Sequence, residues 1–229
     1  MLVCGKNVFK EIVKNPDKIN KVYLLKEFND KKIISDIKNF KLEVYFLSKK
    51  EFEEFDMKNN QGIIIDIKDY DYKNMSVIKE GELVVILDHI EDPHNFGAII
   101  RTCEAAGIKN IIIPKNRSVR ITSTVMKTSA GALDRVNIIL VTNIVSAMNE
   151  LKDKGYWIVA TDLDGKSHDE IDYKGNIAIV IGSEGSGISR LVKKESDFIA
   201  TIKLEGQINS LNASVAAGII LFEAIKQRR

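Results

Sequence analysis

The sequence predicts an α/β protein in two parts, a small N-terminal α/β unit followed by a larger one built on a mostly parallel sheet. Short β-branched runs alternate with amphipathic helical stretches along nearly the whole chain, the pattern of strands joined by helical crossovers. The basic chemistry also changes near residue 80. Before that point lie 16 lysines and 14 acids but no arginine, and all seven arginines follow, beginning with Arg101. We therefore expect a first domain over 1–75, a linker over 76–80 and a second domain over 81–229.

The 229 residues are 45% hydrophobic and 29% charged with a net charge of +2, enough apolar material for a core and too little charge imbalance for a disordered chain. Cys4 and Cys103 cannot form a disulfide framework and have no metal-ligand neighbours, so a reducing cytoplasm and no metal are expected. The longest late apolar stretch, 213–222, falls well short of the roughly 20 residues that cross a bilayer, so no membrane association is expected.

Taken in order, residues 1–5 read as a first strand. Val8 with Ile12 and Phe9 with Val13 then share a helix face, and 22–25 is a buried strand. Ile33, Ile34 and Ile37 mark a second helix, 44–47 a strand, and Ser48 with Glu51 a capping box opening a short helix; 62–67 is another strand. In the second part, strands are expected at 83–87, 110–113, 136–141, 156–161 and 177–181. Helices are expected over 96–106, around 122–130, over 143–154 with Gly155 as its C-cap residue, and from 211 to 227. Ligands of such sheets bind at the carboxyl ends of the strands.

Three of those ends carry unusual polar loops. The first contains Asp92-Pro93-His94-Asn95 and runs into a helix bearing Arg101; the second is Gly182-Ser183-Glu184-Gly185 with Gly187; the third is Ser210-Leu211-Asn212-Ala213-Ser214. Known phosphate loops do not fit them. Gly165-Lys166-Ser167 ends like a P-loop, but Ala160 stands where the earlier glycine is required. Gly185-Ser186-Gly187 is followed by Arg190 where a dinucleotide fingerprint needs its last glycine.

The three loops, in this order and spacing, resemble the motifs of the SpoU (TrmH) family of SPOUT RNA 2′-O-ribose methyltransferases. Gly5 and Gln61-Gly62-Ile63 make the first part similar to the ribosomal-protein-like RNA-binding domain of members that methylate a guanosine in large-subunit ribosomal RNA. The resemblance implies a SPOUT domain with a deep trefoil knot, S-adenosylmethionine as methyl donor, an RNA substrate and a homodimer with its site at the interface. It places cofactor contacts at Gly182, Ile202 and Leu211, and the chemistry at Arg101, Asn95, Glu184, Ser210 and Asn212. The family gives Arg101 the activating role; a guanidinium is hardly ever neutral, so holding a phosphate and stabilising a nascent alkoxide suits it better than base action. Taken alone, short amides and hydroxyls at helix starts are more often caps than catalysts, and Asn95 and Asn212 can serve as both.

Other residues read more plainly. Between Ala105 and Asn149 the only acid is Asp134, and Lys115, Arg117 and Arg120 form a strand-end loop suited to RNA phosphates. His94 is not used by the family, His89 and His168 read as solvated loop residues, and Cys103 as a small packing residue. Ala213, Ala216, Ala217 and Gly218 give the last helix a face suited to close packing. The alternatives to a ribosomal RNA enzyme are a transfer RNA ribose methyltransferase and a non-catalytic assembly factor that has kept the fold.

Overall fold

The computed structural model describes residues 1–185 and 187–229. They divide into two compact units, one of Met1–Asp71 with Ile121–Lys127, the other of Tyr72–Arg120 with Thr128–Arg229.

The first unit holds β1 (Leu2–Cys4), α1 (Lys6–Ile12), β2 (Ile19–Leu25), α2 (Lys31–Asn39), β3 (Val44–Leu47), α3 (Lys49–Glu53) and β4 (Ile63–Ile67). Its sheet has the order β1-β4-β2-β3, with β4 antiparallel to both neighbours and β2 parallel to β3. Phe9, Ile12, Ile33 and Ile37 from the helices close on Val3, Val22, Leu24, Ile63 and Ile65 from the strands. The apolar spacing at four residues thus becomes the packed face of each helix. The expected capping box is formed: Ser48 accepts from the Glu51 N–H, and the Glu51 carboxylate accepts from the Ser48 N–H at 2.8 Å.

The second unit contains β5 (Val84–Asp88), α4 (Pro93–Ala105), β6 (Asn110–Pro114), β7 (Asn137–Val141), α6 (Ile144–Asp153), β8 (Trp157–Ser167), β9 (Ile177–Gly182), α7 (Arg190–Glu195), β10 (Phe198–Thr201) and α8 (Ala213–Gln227). Between β6 and β7 lies α5 (Ser123–Thr128), most of which belongs to the first unit. Six strands run parallel in the order β10-β8-β9-β5-β6-β7. All five residues of β5 and of β6 are buried, as befits strands covered on both faces. Met75 and Ile78 pack into this core, so residues 76–80, expected as a linker, lie within the second unit.

Two features of the sheet position the site. The pairing of β10 with β8 slips between Ile199 and Ala200: Ile199 faces Ala160, while Ala200 faces Lys166. Residues 161–165 are thereby pushed out of the ladder. Gly165 is required there, because a Cβ would lie 2.4 Å from the Ile199 carbonyl oxygen. After β10 at one edge, the chain returns to the middle, where α8 packs on α4 and β9. Its end is held by Arg228, whose guanidinium donates to the carbonyls of Tyr173, Gly175 and Gly81 at 2.6–2.7 Å.

Candidate active site

Each of the three polar loops is built by local capping chemistry. Asp92 is the N-cap of α4, its carboxylate accepting from the Asn95 N–H at 2.8 Å with Pro93 in the first turn. Pro is tolerated there because that N–H has no helical partner. The β9 loop folds on itself through reciprocal backbone bonds between Ser183 and Gly187 of 3.0 and 2.9 Å. At Gly182 the backbone passes so close that a Cβ would stand 2.3 Å from the carbonyl carbon of Gly187. Asn212 caps α8, its Oδ1 accepting from the N–H groups of Ser214 (3.0 Å) and Val215 (3.4 Å).

The caps bring three side chains from three loops to one point. Asn95 and Asn212 both donate through Nδ2 to Glu184 Oε1 at 2.5 Å, and Asn212 also donates to Asn95 Oδ1 at 2.9 Å. The Ala213 N–H reaches the same Glu184 oxygen at 3.4 Å. An exposed glutamate would ordinarily lose rotamer freedom at a cost when fixed; here charge-assisted bonds offset that cost and hold it in one place.

Glu184 lies between two cavities. One, of about 380 Å³, is lined by Gly182, Ile202 and Leu211, by Ser210 and Glu184, and by Thr161, Asp162 and Leu163 of the slipped segment. Its lining includes Ile181, Ala200, Leu204 and Ile220, and among the described residues its only charged groups are the carboxylates of Asp162 and Glu184. Apolar walls with close backbone suit a flat heteroaromatic ring, and the Glu184 carboxylate, bonded to amides rather than to a basic side chain, suits a cationic ligand. Burial works against the charge of Asp162, yet the Lys193 ammonium at 2.5 Å and the Leu163 N–H hold its carboxyl below the ordinary aspartate range. The other cavity, of about 670 Å³, is lined by Asn95 and Glu184 together with His89, Glu91, Asp92 and Arg117.

The remaining candidates separate. Arg101 is exposed on α4, lines neither cavity, and among the described residues has no side-chain partner. Lys115 and Arg117 are exposed, whereas Arg120 is half-buried: it donates to the Lys115 carbonyl and lies over the Tyr72 ring at 5.8 Å, closing the loop. His94 is exposed and lines neither cavity.

Two expectations need correction. His89 is a half-buried residue whose Nδ1 pairs with the Asp88 carboxylate, and the Nδ1 of His168 is buried without a hydrogen-bond partner among the described residues; neither is simply solvated. Cys103 is wholly buried, and burial pushes its thiol far up. No local pattern in the sequence points to 161–163 as part of a cavity, yet all three line it. The strand expected over 156–161 stops short of Gly165, whose place inside β8 marks the bulge and the close approach.

Among the described residues no helix is long and apolar enough to cross a membrane, and no cluster of His, Cys, Asp and Glu is arranged to hold a metal.

Comparison with known proteins covers the whole chain. Residues 82–222 match the model of the SpoU rRNA Methylase family, and residues 2–73 that of an RNA 2′-O ribose methyltransferase substrate binding domain. A Staphylococcus haemolyticus protein assigned to the TrmH family of tRNA/rRNA methyltransferases is 38% identical over 245 residues, spanning 100% of this chain and 96% of that one. The AdoMet-bound rRNA methyltransferase from Sinorhizobium meliloti superposes with a TM-score of 0.78 at 26% identity, over 98% of this chain and 86% of that one. The SpoU methyltransferase AviRb from Streptomyces viridochromogenes, in complex with AdoMet, shares the fold with a TM-score of 0.81 at 21% identity, over 99% and 90% of the two chains.

Proposed function

Because the chain belongs to the SpoU rRNA methylase family, we propose that it methylates a ribose 2′-hydroxyl of RNA, most specifically that of a guanosine in large-subunit (23S) ribosomal RNA. The observation that carries this reading is Glu184, tied to Asn95 and Asn212 on the boundary between a cavity for a cationic heteroaromatic ligand and one open to a nucleotide. When bound, S-adenosylmethionine supplies a methyl group on a positively charged sulfur.

Gly182, Ile202 and Leu211 wall the adenine through backbone and apolar atoms. Among the described lining residues Asp162 and Glu184 carry the charges; Asp162 is paired with Lys193, so the Glu184 carboxylate is the one whose sign is left to match the sulfonium. Ser210, which lines the same cavity, offers it a hydroxyl. Held in one geometry, the reactants gain the rate that positioning gives an in-line displacement.

Arg101 serves the attacking oxygen. It stabilises the alkoxide as the 2′-hydroxyl loses its proton to the RNA phosphate oxygen that the guanidinium holds, because the guanidinium itself stays charged. Since Arg101 lines neither of these cavities, the site is completed in a homodimer, where Arg101 from a second copy reaches the acceptor. The exposed Val215, Ile219 and Phe222 of α8 supply an apolar surface for that pairing. The trefoil knot belongs to the same reading: the chain runs to the β10 edge and returns to mid-sheet, a path of the kind a knot needs. Two free thiols suit work in the cytoplasm.

Lys115 and Arg117 bind RNA phosphates beside the acceptor. The match at residues 2–73 supports ribosomal over transfer RNA, since it adds a substrate-binding module of its own. The test is transfer of radiolabelled methyl groups to protein-free 23S ribosomal RNA and, in parallel, to total transfer RNA, with the product mapped by its resistance to alkaline cleavage. Label confined to transfer RNA would replace the substrate assignment. Cofactor binding without transfer to either RNA would favour an assembly factor.

A further inference from the structure

A third cavity, of about 440 Å³, opens at the carboxyl ends of β5, β6 and β7, within the range of roughly 300–1,000 Å³ typical of small-ligand pockets. It shares Asp88, His89, Arg117 and Ser189 with the 670 Å³ cavity, which in turn shares Ser183, Glu184, Gly185, Gly187 and Ala213 with the cofactor-side cavity. Three cavities thus form a series, with Glu184 on the first boundary and His89 on the second.

The second boundary is built with care. Asp88 is 1% exposed at the end of β5, and its carboxylate is fixed from two sides, accepting from the Ser189 N–H at 2.6 Å and pairing with His89 Nδ1. A buried carboxylate is costly unless its oxygens are satisfied, and this one spends an oxygen on holding an imidazole still. His89 and Arg117 also have φ values of +61° and +50°, a left-handed backbone that costs free energy in non-glycine residues and clusters at functional sites. The cavity beyond them has apolar walls from Pro114, Ile144 and Leu191, and guanidinium groups from Arg117 and Arg190. Both arginines are exposed, and among the described residues neither has a side-chain partner. Apolar walls with exposed, unengaged guanidinium groups beside them match a nucleobase with its phosphate.

We propose that this cavity receives the nucleotide adjacent in the RNA strand to the one methylated. Arg117 and Arg190 grip its phosphate, and His89, positioned by Asp88, stands as a rigid ring between the two bases. The target strand is therefore unpaired at two successive positions, and part of the sequence preference is exercised at the neighbour. This rests on the reading that the protein methylates RNA.

The test uses the full-length chain, protein-free 23S ribosomal RNA and radiolabelled S-adenosylmethionine. Arg190→Ala and His89→Asn are compared with the unaltered protein; asparagine tolerates the left-handed backbone but removes the ring. We expect the KM for RNA to rise about fivefold or more in each, with kcat within a few fold, cofactor affinity by calorimetry unchanged and the melting temperature retained. Arg190→Ala should also lower the log-log salt slope of RNA binding by roughly 0.7, a readout that a merely structural residue would not move. An unaltered protein that transfers methyl groups, with both folded variants matching its KM and salt slope, would overturn the neighbour site alone. An unaltered protein that binds the cofactor and methylates neither ribosomal nor transfer RNA would overturn the parent reading and this one together.

Discussion

At the scale of single residues, Arg101 and Gly182 make the sharpest predictions. Arg101 has no partner to lose among the described residues, so Arg101→Ala should leave stability and cofactor affinity nearly intact while lowering single-turnover methylation about a hundred- to a thousandfold. Arg101→Lys keeps charge but loses the planar fork, and substantial rescue would mean that charge alone suffices. Near-normal transfer by the alanine variant at saturating RNA and cofactor would remove Arg101 from the chemistry. Gly182→Ala acts differently. Its Cβ would meet the carbonyl carbon of Gly187 at 2.3 Å and the Ile188 nitrogen at 2.5 Å, which are backbone atoms of its own loop rather than ligand space. We expect a loss of about 1–3 kcal/mol of stability from that clash, together with loss of cofactor binding by calorimetry; binding at unaltered affinity would show that the loop can yield. The legible residues were those with a local signature. Asn95, Glu184 and Asn212 stand in recognisable loops, and the structure joins them by hydrogen bonds. His89 was misread because its role depends on a buried strand-end carboxylate and a left-handed backbone, neither of which has a periodicity to reveal it.

At the scale of elements, α8 shows how capping and site assembly share one side chain. Asn212 Oδ1 satisfies the first N–H groups of the helix while Nδ2 orders Glu184. The two jobs can be separated: Asn212→Ser keeps a capping oxygen and loses the amide donor, whereas Asn212→Ala loses both. Thermal unfolding should place the serine variant close to the unaltered protein and the alanine variant about 1 kcal/mol lower, with methylation impaired in both. Full activity in the serine variant would confine Asn212 to capping. Most elements were legible from apolar spacing and caps, since those signals are local. The slipped part of β8, and the short α7 and β10 that follow β9, were not. A six-residue helix whose N-cap Ser189 makes no side-chain bond and a four-residue strand leave little pattern, and a register slip belongs to a pair of strands rather than to either sequence. Its consequence is testable. Gly165→Val should push the slipped segment off Ile199 and weaken cofactor binding measured by calorimetry, because Thr161, Asp162 and Leu163 would leave the cavity wall; unchanged affinity would show that these residues contribute nothing to binding.

For the whole molecule, the division into two units separates the tasks. Every residue lining the cofactor-side cavity belongs to the second unit, so a fragment of residues 72–229 should keep cofactor affinity while losing affinity for ribosomal RNA. A folded fragment with no detectable cofactor binding would overturn the assignment of that cavity. If the site is completed between two copies, mixing Arg101→Ala with Asn212→Ala protein should restore methyl transfer above either variant alone, as every heterodimer carries one intact site; no gain after verified subunit exchange would count against a shared site. The placement of the two cysteines offers a practical handle on such questions. Cys103 is sealed inside the second unit while Cys4 is partly exposed in the first, and burial raises the Cys4 thiol while Lys127 lowers it. A maleimide dye at mildly alkaline pH should therefore attach at one position only, giving a fluorescent reporter on the first unit without any engineered mutation.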